Sequence, residues 1–567
     1  MSQHSVRRQT GAAFRDDGPD GLIARAFLRG AGWSAEMVRR GPVIGIATSW
    51  SELNPCNAGL RELAAGVKRG VLVAGGLPLE FPTISIAEPF VRPSSLYLRN
   101  LMAMDVEEMV LASPVDGVVL LGGCDKTIPA QLMGAFSAGK PALALAAGPR
   151  PVSRWKGRPL TVDDLWPQID ARRAGTMPDA DWAALEACLN CGTGTCNVMG
   201  TAITMAAIAE SLGMALPGTT LLPAASAARL AAAEATGRRA VELALSGRCP
   251  GDVVTMDALE NAFRVVCGVG GSTNALIHLE ALAGRLGYRL GVERLRGWSE
   301  STPQVADVRP TGKYLLEDLE EAGGIPAVMR ELAPVLHLGA TAGDGRPWAD
   351  VITSLTGDTG HDVLRSLSSP AAPLGALVLL RGTLAPAGAV LKRTGADPRL
   401  SRHRGPAVVF EGVDDLHARI DDPALEVSPD SVLVLRGMGP VGGPGMPEVG
   451  HLPIPARLRR AGVADMVRVS DARMSGTATG TVVLHVSPEA AVGGPLSVVR
   501  DGDLIDLDVA TGRVDLLVSS DEIGRRGPSP DRRPQVRRGY AALHQAHVLQ
   551  AEQGCDFDFL LPDPHGG

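Results

Sequence analysis

The chain has 567 residues, enough for two or more packed domains. Its 45% apolar and 21% charged residues are those of an ordinary globular protein, and a net charge of −7 gives no basic footprint for nucleic acid or an anionic membrane. The longest apolar runs, 115–121 and 374–380, are far too short to cross a bilayer.

Residues 1–20 carry Arg7 and Arg8 with no apolar stretch behind them, so no secretory leader is expected and the reading is a cytoplasmic protein. From there to about 370, short apolar runs alternate with Ala-rich helical stretches. Segments 42–49 and 115–121 read as buried strands, each followed by a loop of Gly, Asn and Cys. Segments 200–216 and 223–245 read as helices, the first stopped by Pro217-Gly218. This alternation predicts an α/β domain with a parallel sheet, whose active residues belong on loops beyond the strand carboxyl ends. From 374 the texture changes to short β-branched strands at 374–380, 431–436, 481–486 and 497–499, with hairpin turns expected at Asp501-Gly502 and Thr511-Gly512. The expected division is therefore 1–373, α/β, and 374–567, a β-rich sheet or barrel. Segment 525–538 is basic and Pro-rich, and a helix is expected near 541–552.

Eight cysteines in a long cytoplasmic chain read as reduced thiols or ligands rather than a disulfide framework. Cys56, Cys124 and Cys196 each sit in a short polar loop, a setting that suits thiolates converging on a metal centre. Three thiolates on an iron–sulfur cluster would leave one iron position open for chemistry. The run Cys188-x2-Cys191-x4-Cys196 is a rival ligand set, and eight ordinary core thiols a third reading.

Oxygen ligands gather elsewhere. Asp125 and Lys126 follow Cys124, and Glu88 lies in a neighbouring loop, a density that suits Mg²⁺. An ammonium at Lys126 would repel the ion, whereas a carbamate on that amine would donate an anionic oxygen. The alternative is a surface Asp-Lys pair with a capping Glu. Segment 471–480, Asp-Ala-Arg-Met-Ser-Gly-Thr-Ala-Thr-Gly, can present backbone N–H groups around Ser475 and prepare it as a base, or can be a plain turn. Segment 268–274 opens a helix in anion-binding fashion but fails the dinucleotide fingerprint, with close helix packing as the alternative. Segment 437–448 is Gly-rich enough to let backbone approach a ligand, and it ends in Glu448. Asp503, Asp506 and Asp508 fit the polar face of a hairpin better than a calcium loop, and His278, His361, His451 and His485 are isolated, as structural histidines are.

Taken together, 54–57, 122–127, 194–202, 268–276, 382–392, 437–448 and 471–480 resemble the dihydroxy-acid and sugar-acid dehydratase family over nearly the whole chain. The resemblance implies an N-terminal α/β domain, a C-terminal barrel-like domain and a site between them. It implies a [2Fe–2S] cluster on Cys56, Cys124 and Cys196, with Cys188 and Cys191 as neighbours. It further implies Mg²⁺ held by Glu88, Asp125, Glu448 and a carbamylated Lys126, with Ser475 as base and Thr477 near the substrate. Two details favour the sugar-acid branch: the sequence 197–202 after the third cysteine, and Glu88 at a position where the branched-chain enzymes usually carry an aspartate. Val198 departs from the Thr more usual in that branch. The implied reaction is dehydration of a 2,3-dihydroxy sugar acid to a 2-keto-3-deoxy acid by a homodimer or homotetramer. Alternatives are 2,3-dihydroxyisovalerate dehydration in branched-chain biosynthesis, phosphogluconate dehydration, or a non-catalytic iron–sulfur protein.

Overall fold

The computed structural model describes residues 9–355, 362–527 and 536–562. The expected His361 and most of the basic stretch, 528–535, lie outside the described residues.

The N-terminal sheet is four parallel strands in the order β2-β1-β3-β4: β1 Val43–Thr48, β2 Leu77–Pro82, β3 Gly117–Gly122 and β4 Ala142–Ala146. β1 and β3 are buried along their whole length, because helices cover both faces. Alternation divides their side chains between two cores. Ile44, Ile46, Val119 and Leu121 pack under helices Leu60–Val73 and Ala227–Ser246, while Ala47, Val118 and Leu120 pack against Thr127–Ala138 and the central helices. The two helices on the first face touch backbone to backbone: a Cβ at Gly70 would lie 1.9 Å from Glu234 O, and one at Gly237 would lie 2.2 Å from Val67 O. Those glycines set the helix separation.

The C-terminal part is an eight-stranded mixed sheet in the order β14-β13-β9-β10-β11-β12-β8-β7. In chain order, after the small hairpin β5 Ser153–Trp155 and β6 Arg158–Leu160, these are β7 Leu377–Leu380, β8 Gly388–Lys392, β9 Arg402–Glu411, β10 Val432–Arg436, β11 Arg468–Ser470, β12 Val482–Ser487, β13 Leu504–Asp508 and β14 Arg513–Leu516. The two edges meet where Arg381 N donates to Gly512 O (2.9 Å) and Val514 N donates to Arg381 O (3.1 Å), which makes the sheet barrel-like. Alternate residues such as Leu391, Val409, Val434, Val469 and Val483 fill its interior. The opposite face of β7, β8 and β12, with Leu379, Val390 and Leu484, packs into the central core shared with the N-terminal helices.

Two local expectations are corrected. Segment 497–499 is not a strand; it falls in the 3₁₀ turn Pro495–Val498, whose proline has no N–H for a ladder. Asp501-Gly502 is a turn leading into β13, which pairs with the distant β9 rather than with a strand just before it. The hairpin at Thr511-Gly512 does join β13 to β14. The last described helix is Gly539–His547, shorter than expected. Beyond it the chain is tied back to the N-terminal helices: the buried Arg99 donates to Gly554 O and Cys555 O, and Arg285 pairs with Asp556 at 2.6 Å. Among the described residues no helix is long and apolar enough to cross a membrane.

Candidate functional site

All four loops leaving the carboxyl ends of the parallel strands contribute to one place. Cys56 follows β1, Glu88 follows β2, Cys124-Asp125-Lys126 follows β3 and Arg150 follows β4. The loops are stitched together by asparagines: Asn54 Nδ2 donates to Ile86 O at 3.0 Å, and Asn57 Nδ2 donates to Ser49 O at 2.9 Å. Gly123 is required here, since a Cβ would lie 2.9 Å from Asn57 Oδ1 and 3.0 Å from Cys56 O.

Cys124 sits at φ 66°, a left-handed conformation that costs energy for any residue with a side chain. It turns its thiol into contact with Cys56. That thiol hydrogen bond, and then burial, hold the Cys124 proton well above the usual range. Burial pushes the Cys196 thiol up to about 11, Arg150 opposing it with Nη2 3.5 Å from the sulfur. Cys196 also senses the charges of Cys124 and Asp125, which places it on the same side of the sheet as the loop after β3. The other two cysteines of the rival run have surroundings of their own. Cys188 ends helix Asp179–Cys188 against Leu160, Met177 and Leu185, and Cys191 is exposed with its sulfur 3.4 Å from Pro151 O.

Beside the thiols lies an oxygen cluster. One carboxylate oxygen each from Glu88, Asp125 and Glu448 lie within 4.8 Å of one another. Lys126 Nζ, fully buried, stands among them at 3.2 Å from Glu88, 3.5 Å from Asp125 and 3.4 Å from Glu448. Burial pulls that amine down and Arg473 pulls it down further, yet the three carboxylates outweigh both and raise it. Burial, and then the charge of Glu88, push Glu448 up to about 7. Burial likewise raises Glu88, but Lys126 and Arg473 overcome it and bring that carboxyl below its usual value. Glu448 Oε1 also accepts from Arg473 Nη1 and Asn274 Nδ2, both at 2.8 Å.

Asn274 links the carboxylates to the serine loop, since its Nδ2 also lies 3.3 Å from Met474 O. Ser475 Oγ is 2.8 Å from Thr477 Oγ1 and accepts from Thr477 N at 3.3 Å. The Trp166 indole N–H donates to Thr477 Oγ1 at 2.8 Å, which fills one of the two acceptor sites of the hydroxyl that contacts Ser475. Gly476 allows the loop to press on helix Thr201–Ser211, where a Cβ would lie 2.7 Å from Thr201 N.

The two Gly-rich segments play different parts from those a ligand loop would. In 268–274 the donors are satisfied internally: Ser272 N by Thr204 Oγ1 (3.1 Å) and Asn274 N by Ser272 Oγ (3.2 Å). A Cβ at Gly268 would meet Leu332, so this segment is close packing that delivers one amide to the site. In 437–448 the backbone N–H groups of Gly437 and Met438 go to Asp471, and those of Val441 and Gly442 go to Glu489. That segment is a clamped arm whose end is Glu448.

A family domain described as dihydroxy-acid/6-phosphogluconate dehydratase, N-terminal, matches residues 41–351, and its C-terminal counterpart matches 362–555. The chain belongs to the dihydroxy-acid/6-phosphogluconate dehydratase family. It is 46% identical to the 6-deoxy-6-sulfo-D-gluconate dehydratase of Pseudomonas putida over 96% of both chains. It is 44% identical to the L-arabonate dehydratase of Azospirillum brasilense, covering 99% of this chain and 98% of the relative. A dihydroxy-acid dehydratase of Caldicellulosiruptor saccharolyticus is 37% identical, covering 94% and 97%. As a dehydratase of this family, the protein is a carbon–oxygen hydro-lyase.

The residues fit the metals that the family resemblance implies. Thiols on three loops of the site offer soft ligands, and a thiol held above its usual range, as Cys124 and Cys196 are, gives up its proton more readily when a metal takes its place. Three converging carboxylates are a hard-cation donor set. Lys126 as an ammonium competes with a cation for those same oxygens, so Mg²⁺ and a neutralised or carbamylated Lys126 belong together. Sequence reasoning missed Trp166, Asn274, Arg473 and Arg150. Asn274 and Arg473 lie inside segments already singled out, but Trp166 reaches Thr477 across 311 positions and has no local signature.

Proposed function

We propose that the enzyme removes water from a 2,3-dihydroxy sugar acid, giving the 2-keto-3-deoxy acid. The observation that carries this reading is the Cys124-Asp125-Lys126 turn, which joins the thiol in contact with Cys56 to the carboxylate cluster, with the Ser475 loop tied to the latter through Asn274. Preference for sugar acids is supported by the higher identity to the sulfogluconate and arabonate dehydratases than to the dihydroxy-acid dehydratase.

Cys56, Cys124 and Cys196 would hold a [2Fe–2S] cluster, and Glu88, Asp125, Glu448 and carbamylated Lys126 would hold Mg²⁺. Bound there, the two groups would supply Lewis acidity at the departing C3 hydroxyl and at the carboxylate with its C2 hydroxyl. Ser475 Oγ takes the C2 proton. A serine hydroxyl is a very weak acid, and an alkoxide there would accept from both the N–H and the hydroxyl of Thr477, the latter held in place by Trp166. The C2 proton and the C3 hydroxide leave together as one water, and the enol becomes a ketone as C3 gains a proton. Arg473 and Asn274 fix Glu448, and so the position of the carboxylate cluster, while Gly476 keeps the serine loop pressed on its helix.

The test is an anaerobic substrate panel with Mg²⁺ after cluster reconstitution: arabinonate, xylonate, gluconate, fuconate and 2,3-dihydroxyisovalerate. Keto-acid formation from one or more aldonates, with kcat/KM above that for dihydroxyisovalerate, is expected. The reverse order moves the enzyme to the branched-chain reaction.

A further inference from the structure

Lys392 is a buried ionisable group that this chemistry leaves unused. It ends β8, is 1% exposed, and its Nζ has no hydrogen-bond partner among the described residues. Strand alternation fixes its direction. Ala389 and Leu391 face the barrel interior, whereas Val390 faces the central core that includes Met474, Ala478, Val482 and Leu484. Lys392 shares the parity of Val390, and its partner on β7, Leu377, belongs to that same core. The register of β12 against β8, Val483 opposite Leu391, sets Val482 beside Lys392. The ammonium is therefore directed out of the barrel, toward the N-terminal part and the side on which the Ser475 loop lies.

Both flanks of this position adjoin segments of the candidate site. The segment that follows Lys392 is bonded to the end of the serine loop, Gly480 N donating to Gly395 O at 2.6 Å. The charge acting on the amine is Asp163, in the turn Val162–Asp164 just before Trp166. Asp163 does not neutralise it, being held by Thr161 Oγ1 at 2.5 Å and lying 3.9 Å from Arg309. Burial draws the ammonium down to about 8, Asp163 opposing.

An ammonium has three donors, and burying it with none satisfied is strongly unfavourable unless a ligand brings the acceptors. Such a cost is tolerated at positions kept for function rather than stability. We propose that Lys392 is a substrate-contacting residue, its ammonium donating to oxygens of the bound hydroxy acid. The inference rests on the hydroxy-acid reading above, and two readouts separate them.

The first is the heat-unfolding midpoint of the full chain without Mg²⁺ or substrate. Lys392→Met fills similar space without a charge, so the midpoint is expected to rise; a fall would assign Lys392 to the framework and overturn the proposal. The second is kcat/KM on the aldonate that the wild type turns over best. Lys392→Met is expected to lose about 10- to 100-fold and Lys392→Arg to recover part of it, whereas an unchanged value in both variants overturns the proposal. Failure of the sugar-acid reading shows differently. The wild type itself then turns over no aldonate, while the midpoint still decides Lys392, a rise keeping it as a ligand-facing donor and a fall removing it.

Discussion

Trp166 and Thr477 are joined by an indole N–H donating to a threonine hydroxyl at 2.8 Å, and that threonine oxygen lies 2.8 Å from Ser475 Oγ. A helix of the N-terminal part thereby holds a hydroxyl of the C-terminal part beside Ser475. Trp166→Phe keeps an aromatic ring and deletes the donor, and kcat is expected to fall about 5- to 10-fold, the worth of one hydrogen bond. Thr477→Val, which removes the group contacting Ser475, is expected to cost more. Steady-state kinetics of the two variants and the double variant check this, since groups acting in one chain give non-additive losses.

Ser475→Ala is expected to lower turnover by about 100-fold or more, the usual worth of a general base, while leaving the cluster's visible absorption and the Mg²⁺ content intact. Retained activity would remove Ser475 from the mechanism.

Gly476→Ala tests the loop's seat. Its new methyl would meet Thr201 N and, at 2.9 Å, Ser272 Oγ, so the loop must lift away from the helix carrying Thr201. Activity is expected to fall far more than stability, because the lifted residue lies beside Ser475. Circular dichroism melts set against turnover measure the two losses separately.

Two histidines, the half-buried His451 and the buried His485, predict how stability depends on pH. Burial brings His451 down to about 4 and His485 down to about 3, so the unfolded chain binds their protons first. Their contribution is fully present above the unfolded value near 6.5 and is lost as pH falls toward 4 and then 3. Each is worth on the order of a few kcal/mol at the acid end. Melting midpoints from pH 7 downward should therefore drop below about 6.5. His485→Asn, whose side chain tolerates the left-handed φ of 56°, should flatten part of that fall.

Much of this architecture was legible in the sequence because its signals are local. Strand–loop–helix alternation marked β1 and β3, and the polar loops around Cys56 and Cys124 identified themselves by composition. What stayed hidden was contact across sequence distance. Spacing alone allowed Cys188 and Cys191 to compete with Cys56 and Cys124, and it was the family resemblance, not any local signal, that preferred the latter pair. The Gly-rich segment 437–448 looked like a ligand cradle because nothing in it shows that Asp471 and Glu489 take its backbone donors. Trp166 was invisible for the same reason, since its indole N–H finds its acceptor in the other half of the chain.

The most direct test of the account is turnover of a C2-deuterated aldonate in ordinary water, with the product followed by NMR. Proton abstraction by Ser475 predicts a primary isotope effect and a 2-keto-3-deoxy acid free of the label, its new C3 hydrogen coming from solvent. Deuterium found at C3 of the product would mean that the C2 hydrogen is passed on to C3 rather than leaving with the hydroxide as water, and would contradict the proton path assigned here.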